Sequence, residues 1–278
     1  MEINITEKTL DIEKVVRSKF KRMPGFIIRY LKKILHEKDL NEALYNMKEY
    51  QGIDFATATI DWLGCKVEIK HSERIAQTGK CLLAANHPLG GLDGVALISE
   101  VGKIRRDIIF PVNDFLLALP NLRSVFVPIN KVGRNAHNHE QLQDAFTSDN
   151  MLLYFPAGLV SRKLSRKVIA DLAWKKTFIT QARQTERDII PVYIEGRNSR
   201  FFYNLARLRK QLGIKVNIEM AYLVDEMYKQ RGKTITLVVG KTIPHSVFDT
   251  RYKDIEWAAK LREHVYKLKD NPNTDFEV

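Results

Sequence analysis

The apolar residues of this chain change their period after about fifty positions. Up to Tyr50 they recur at three-to-four spacing, which predicts helices over Leu10–Phe20 and Phe26–Leu35, parted by Pro24-Gly25. Beyond Tyr50, short β-type runs alternate with helical ones. Cys65–Ile69, Cys81–Ala85, Asp107–Val112, Val125–Ile129, Met151–Phe155, Ile189–Ile194, Lys215–Tyr222 and Thr234–Val239 read as strands. Leu92–Val101, His137–Phe146, Ala173–Gln184, Phe201–Gln211 and Trp257–Lys269 read as helices. Strands interleaved with helices predict an α/β fold: a mixed, largely parallel sheet flanked by helices, with an N-terminal helical extension. Helices over much of the sheet explain why its strands read as apolar runs. The division is a basic amphipathic extension (1–50), a central α/β domain (51–246), and a C-terminal helix and tail packed on that domain (247–278). There is no internal repeat and no Ser/Gly linker.

At 278 residues, with 45% hydrophobic and 28% charged positions, the chain has the composition of a folded protein that needs no disulfide scaffold. Its two cysteines, Cys65 and Cys81, have neither a scaffold's number nor a metal site's spacing. Charge changes the picture more. Lys and Arg outnumber Asp and Glu 45 to 33, a net charge of +12, which predicts an anionic partner. Lys14, Arg17, Lys19, Lys21, Arg22, Arg29, Lys32 and Lys33 occur with no acid among them. In the second helix Phe26, Ile27, Tyr30, Leu31, Ile34 and Leu35 form one side, opposite Arg29, Lys32 and Lys33. Such a helix suits a membrane interface; the alternative is a packing helix with a solvated basic face. The start, Met1-Glu2-Ile3-Asn4, has no signal-like apolar core, and no apolar run reaches the ~18 residues of a membrane span. The expected place is the cytoplasm, peripheral on the inner face of the cell membrane.

The most informative stretch is Cys81-Leu-Leu-Ala-Ala-Asn86-His87-Pro88-Leu89-Gly90-Gly91-Leu92-Asp93-Gly94. An apolar strand runs straight into Asn-His-Pro, at the strand end where α/β sheets form their sites. The two glycines let the backbone turn and bring Asp93 back toward His87. A carboxylate on one imidazole nitrogen leaves the other free as a general base. No nucleophilic Ser or Cys stands beside the pair in sequence, and the Gly-X-Ser-X-Gly elbow is absent.

This stretch resembles the first motif of the glycerolipid acyltransferase superfamily, of the lysophosphatidic-acid-acyltransferase type. The usual signature has four residues between His and Asp; here there are five, as in members reading His-Pro-x-Gly-x-x-Asp-Gly. Three further blocks follow in order: Val125-Phe-Val-Pro-Ile-Asn130-Lys131, Phe155-Pro156-Ala157-Gly158 and Ile189-Ile190-Pro191-Val192-Tyr193-Ile194. The resemblance runs from about residue 60 to 245, and makes 51–246 an acyltransferase domain. It implies acyl transfer from a thioester of acyl carrier protein or coenzyme A to a lysolipid hydroxyl. His87 would be the catalytic base and Asp93 its orienting partner, with no cofactor, no metal and no acyl-enzyme. Carried over block by block, it makes Asn86, Gly90, Gly91, Lys131, Phe155, Pro156 and Gly158 substrate-binding; Arg162 and Lys163, in the basic run after the third block, are candidates for the acceptor's headgroup, and backbone amides near the Gly90-Gly91 turn are candidates for the oxyanion.

Two departures bear on the acceptor. Lys131 stands where the family usually has a phosphate-binding Arg, and Lys lacks the planar fork. Ala157 replaces the Glu of the third block, and the basic run Arg162, Lys163, Arg166, Lys167 follows. The text Phe-Pro-Ala-Gly-Leu-Val-Ser-Arg is most similar to the hemolysin-labelled or glycerol acyltransferase subgroup of Bacteroidetes-type bacteria. Related enzymes acylate a lyso amino-acid lipid. The acceptor is therefore expected to be such a lipid or 1-acylglycerol-3-phosphate. His137-Asn-His139-Glu140 lacks further ligands, so no metal is expected. Arg197, Arg200, Arg207, Arg209, Lys210 and Lys215, with Phe201, Phe202 and Tyr203 among them, suit lipid headgroups or an acidic carrier protein. Nucleic acid is not the expected partner. The rivals are an anionic-membrane or nucleic-acid binding protein with an inert His-Asp motif, and a thioesterase in which His87 activates water.

Overall fold

The computed structural model describes residues 10–112, 116–128 and 136–278. Four helices come first: α1 (Ile12–Lys19), α2 (Gly25–Ile34), α3 (Glu37–Asn46) and α4 (Gly52–Trp62). Then β1 (Lys66–Lys70), β2 (Cys81–Ala85), α5 (Gly91–Gly102), β3 (Ile108–Val112), β4 (Phe126–Pro128), α6 (Ala136–Thr147) and β5 (Met151–Tyr154) alternate. A short antiparallel hairpin, β6 (Arg162–Lys163) and β7 (Ile169–Ala170), precedes α7 (Thr177–Gln184). The chain closes with β8 (Asp188–Ile194), α8 (Arg200–Gln211), α9 (Leu223–Tyr228), β9 (Thr234–Val239) and α10 (Asp254–Lys267).

Seven strands form one sheet in the order β1-β9-β8-β2-β5-β3-β4. Its pairs are parallel except β8–β9. The mixed, largely parallel sheet read from the sequence is the one observed. β2 is buried on both faces, and its side chains divide by parity. Cys81, Leu83 and Ala85 join the core under α4 and α5, while Leu82 and Ala84 join the core under α7 and α10, with Trp174, Phe178, Trp257 and Leu261. Both cysteines are buried free thiols. No helix among the described residues is long and apolar enough to cross a membrane.

Three expectations change. Lys215–Tyr222 is no strand: Ile218–Tyr222 is a 3₁₀ turn, and Ile214, Val216 and Ile218 stay exposed, so their alternation reports no sheet face. The helix expected from Ala173 starts at Thr177. On α2 the strongly buried residues are Ile28 and Ile34, while Phe26 and Tyr30, placed on the apolar side, remain exposed.

Candidate active site

The carboxyl ends of β2, β5 and β8 meet at His87. β2 ends at Ala85, and Asn86 then staples it to β8: its side-chain oxygen accepts from Ile194 N–H at 2.6 Å and its amide donates to Ile194 O at 2.9 Å. Asn86 is 2% exposed, so its polar atoms serve the sheet. This corrects the expectation that it binds substrate.

Gly90 takes a φ of 87°, open to glycine at little cost, and begins α5. A side chain there would strike Leu223 at 3.1 Å, whereas at Gly91 it would meet nothing within 4 Å. Gly91 therefore faces open space. In the first turn of α5, Asp93 folds back so that its Oδ2 accepts from Leu89 N–H at 2.8 Å and Gly90 N–H at 3.0 Å. The same oxygen meets His87 Nδ1 at 2.9 Å. Five intervening residues thus still close the His-Asp pair. Asp93 is wholly buried, and its Oδ1 has no hydrogen-bond partner among the described residues. Burial pushes its carboxyl above the ordinary range, against the opposing pull of His87 and the two amides.

Phe155, directly after β5, stacks on the imidazole with ring centres 4.1 Å apart and 17° between planes. Phe110 meets Phe155 edge-on at 5.3 Å and fixes it in turn. His87 Nδ1 is held and its ring plane set, while Nε2 meets no protein group among the described residues. Pro156 is buried with its carbonyl bonded to Lys175 N–H, and Gly158 lies exposed in a turn at φ 62°. Ala157 is buried against the Trp174 and Phe178 core rather than facing the His87 ring.

The sequence did not single out Asp171, yet it clasps the His87 backbone. Its Oδ1 accepts from His87 N–H at 3.1 Å and from the Ser161 hydroxyl at 2.5 Å, and its Oδ2 from the Trp174 indole at 2.9 Å. Ser161 N–H donates to His87 O at 2.7 Å, so the hairpin segment holds both sides of that peptide. The Ser161 hydroxyl is committed to Asp171 and is no nucleophile paired with His87. A signal was present: Asp171 is the only acid between Asp149 and Glu186. Asn198, just beyond β8, donates to Pro88 O at 3.2 Å and ties the fourth block to the same loop.

Arg162 also changes role. It is buried, its guanidinium pairs with Glu219 at 2.9 Å and donates to Val160 O at 2.8 Å, and it lies over the Phe202 ring. Its charge is met inside the fold rather than by a headgroup. Lys163 is half-buried, and its ammonium has no ion-pair partner among the described residues. Lys131 lies outside the described residues, as do the side chains of His137 and His139. No group of three metal-ligating side chains stands among the described residues.

A family model described as acyltransferase matches residues 11–274. The chain is 45% identical over 280 residues to the lyso-glycine lipid O-acyltransferase of Phocaeicola vulgatus, covering 96% of this chain and 100% of that one. It is 44% identical over 265 residues to the lyso-glycine lipid O-acyltransferase of Bacteroides thetaiotaomicron, covering 93% and 97% respectively. Its fold is similar to the crystal structure of the 1-acyl-sn-glycerophosphate (LPA) acyltransferase PlsC from Thermotoga maritima. There the TM-score is 0.50 at 16% identity, over 94% of this chain and 90% of that one.

Proposed function

The chain belongs to this acyltransferase family, and from that premise we propose that it moves a fatty acyl group from an acyl thioester to the hydroxyl of a lyso amino-acid lipid. The observation that carries the chemistry is an imidazole anchored at Nδ1 by Asp93 and open at Nε2. The acceptor hydroxyl gives its proton to Nε2 as its oxygen attacks the thioester carbonyl. The tetrahedral oxyanion collapses, the C–S bond breaks, and the imidazolium returns the proton to the leaving thiolate. Gly90 N–H is engaged by Asp93, so the oxyanion falls to the amides that follow it at the open face of Gly91. Asp93 holds the tautomer in which Nε2 is the base.

The donor is acyl carrier protein or coenzyme A. The names of the two relatives favour a lyso-glycine lipid as acceptor over 1-acylglycerol-3-phosphate. Lys163 supplies an ammonium for the acceptor's carboxylate, with Lys131 as its expected companion. Ala157 no longer supports this preference, since that position lies in the core. The reaction sits at the inner face of the cell membrane, where the basic N-terminal helices meet anionic headgroups.

Thiol release from acyl carrier protein and from coenzyme A thioesters, measured with each lysolipid and with none, tests the reading. Release that needs both a lysolipid and His87 supports it. Release without acceptor makes the protein a thioesterase. A tenfold or greater preference for 1-acylglycerol-3-phosphate in kcat/KM overturns the acceptor assignment.

A further inference from the structure

Residues 200–218 expose apolar side chains that the fold does not use. On α8, Phe202, Tyr203 and Ala206 face inward, while Phe201, Leu208 and Leu212 follow at i, i+7 and i+11 as an outward stripe. Beyond the helix Ile214, Val216 and Ile218 continue the exposed run, with Leu212 65% and Val216 70% accessible. The stripe joins the N-terminal helices. Phe201 meets the Tyr222 ring edge-on at 4.9 Å, and the Tyr222 and Tyr30 hydroxyls share a hydrogen bond of 2.6 Å. Phe26, one turn before Tyr30 on α2, is 67% exposed. Two chain segments nearly two hundred residues apart thus make one apolar surface.

Its charge is of one sign. Arg29, Lys33, Arg200, Arg207, Lys210 and Lys215 are exposed on the two segments. No acid occurs from Lys14 to His36 or between Glu195 and Glu219. We propose that this composite surface is a docking face for an anionic bilayer, with the 212–218 segment as a second insertion element beside α2. Protruding apolar side chains ringed by cations match an acyl boundary beneath anionic headgroups. An acidic carrier protein would satisfy the cations but leave the Leu212–Ile218 tip without an apolar phase.

The face borders the His87 site. Glu219, next after Ile218, is wholly buried and pairs with Arg209 and Arg162, each at 2.9 Å. Arg162 follows Ser161, whose N–H holds His87 O. Leu223 covers Gly90 closely enough that a side chain there would strike it. The docking face therefore sets a bilayer-resident acceptor beside the general base. This use rests on the lysolipid reading; the docking itself does not.

The test uses the full chain carrying Leu212→Glu and Val216→Glu, both at exposed positions. Wild type should sediment with vesicles of phosphatidylglycerol and phosphatidylcholine in equal parts, and the double variant should partition about tenfold less or worse, with unchanged circular dichroism. A Val216→Cys variant, labelled with an environment-sensitive dye while Cys65 and Cys81 stay buried, should shift its emission to the blue on these vesicles. Equal partition of both proteins, an unmoved emission, or a shift on acyl carrier protein and not on vesicles overturns the proposal. The double variant should also keep wild-type turnover on a monodisperse short-chain lysolipid. Lost turnover there assigns these residues to the site instead and equally overturns docking. If wild type transfers no acyl group to any lysolipid, the Proposed function fails while vesicle binding still decides the docking face.

Discussion

The two ends of the sheet are held by opposite chemistry. At the amino ends of the strands the buried polar groups are arginines. Arg187, wholly buried, donates to the carbonyls of Cys81, Phe146, Ser148 and Asn150, binding the start of β2 to the last turn of α6. Arg105 does similar work for Ala76, Gly79 and Asp149 beside its ion pair with Asp107. At the carboxyl ends, around His87, buried carboxylates take the leading part as acceptors. Asp93 and Asp171 take amide protons from Leu89, Gly90 and His87, and Asn86 clamps Ile194. A guanidinium keeps its charge at any working pH, so the amino end is a permanent staple. Carboxylates can lose their charge, but they can orient an imidazole, which arginine cannot. One end is built to stay closed and the other to hold the His87 imidazole in register.

The widest separation between the two ends comes from His87→Ala. The imidazole makes one hydrogen bond, to Asp93, and one ring contact, with Phe155, so the melting temperature should move far less than turnover. Loss of a general base should lower kcat by ~10²–10⁴ or more. Retained turnover above a few per cent, with the wild-type melting curve, would show that Nε2 is not the base.

Arg187→Met should do the reverse. Buried carbonyls left without a donor cost about 1–3 kcal/mol each, so unfolding in urea should lose about 3 kcal/mol or more. Turnover per folded molecule should hold. A variant with the wild-type urea midpoint would mean that water replaces the guanidinium.

Asp171→Asn sharpens the contrast within the catalytic end. Asn can still accept from His87 N–H and the Ser161 hydroxyl, but its amide then faces the Trp174 indole N–H. The His87 peptide should shift, lowering kcat about 10- to 100-fold with little change in KM for the thioester. Ser161→Ala should act in the same direction, and the two should fall short of additive because they share Asp171 Oδ1. A loss confined to KM would place Asp171 in substrate binding instead.

These residues also mark what the sequence could carry. His87 and Asp93 were legible because one turn joins them, so spacing and two glycines state the geometry. The alternating strands were legible because burial on both faces leaves long apolar runs. Asp171 reaches His87 across 84 positions, and no local pattern encodes that contact. Arg162 and Asn86 were misassigned for the same reason: their partners, Glu219 and Ile194, lie far along the chain. The strand expected at Lys215–Tyr222 failed differently. Alternation reports a buried face only where something covers it, and here Ile214 and Val216 are exposed. Helix α4 was passed over because Thr57, Thr59 and Ile60 are β-branched, and its stability comes from packing on α5, where Gly102 admits Ile53.

The smallest expected effect is in stability, and it has a definite sign. Burial raises the Asp93 pKa above its unfolded value. Folding then favours the protonated carboxyl, so its favourable contribution is complete below the unfolded carboxylate value of about 4 and is lost as pH rises through the folded value. Ionising this buried carboxyl as pH rises weighs against the fold, even though the same side chain orients His87. Asp93→Asn should therefore lose most turnover through the wrong tautomer, as Arg187→Met does not. Its stability relative to wild type should nonetheless rise between pH 5 and pH 8, by less than the Arg187→Met loss. Urea midpoints of both proteins at the two pH values measure this. A relative stability that falls with pH would mean that the His87 and amide contacts outweigh burial, and that the carboxyl end is as much a staple as the arginine end.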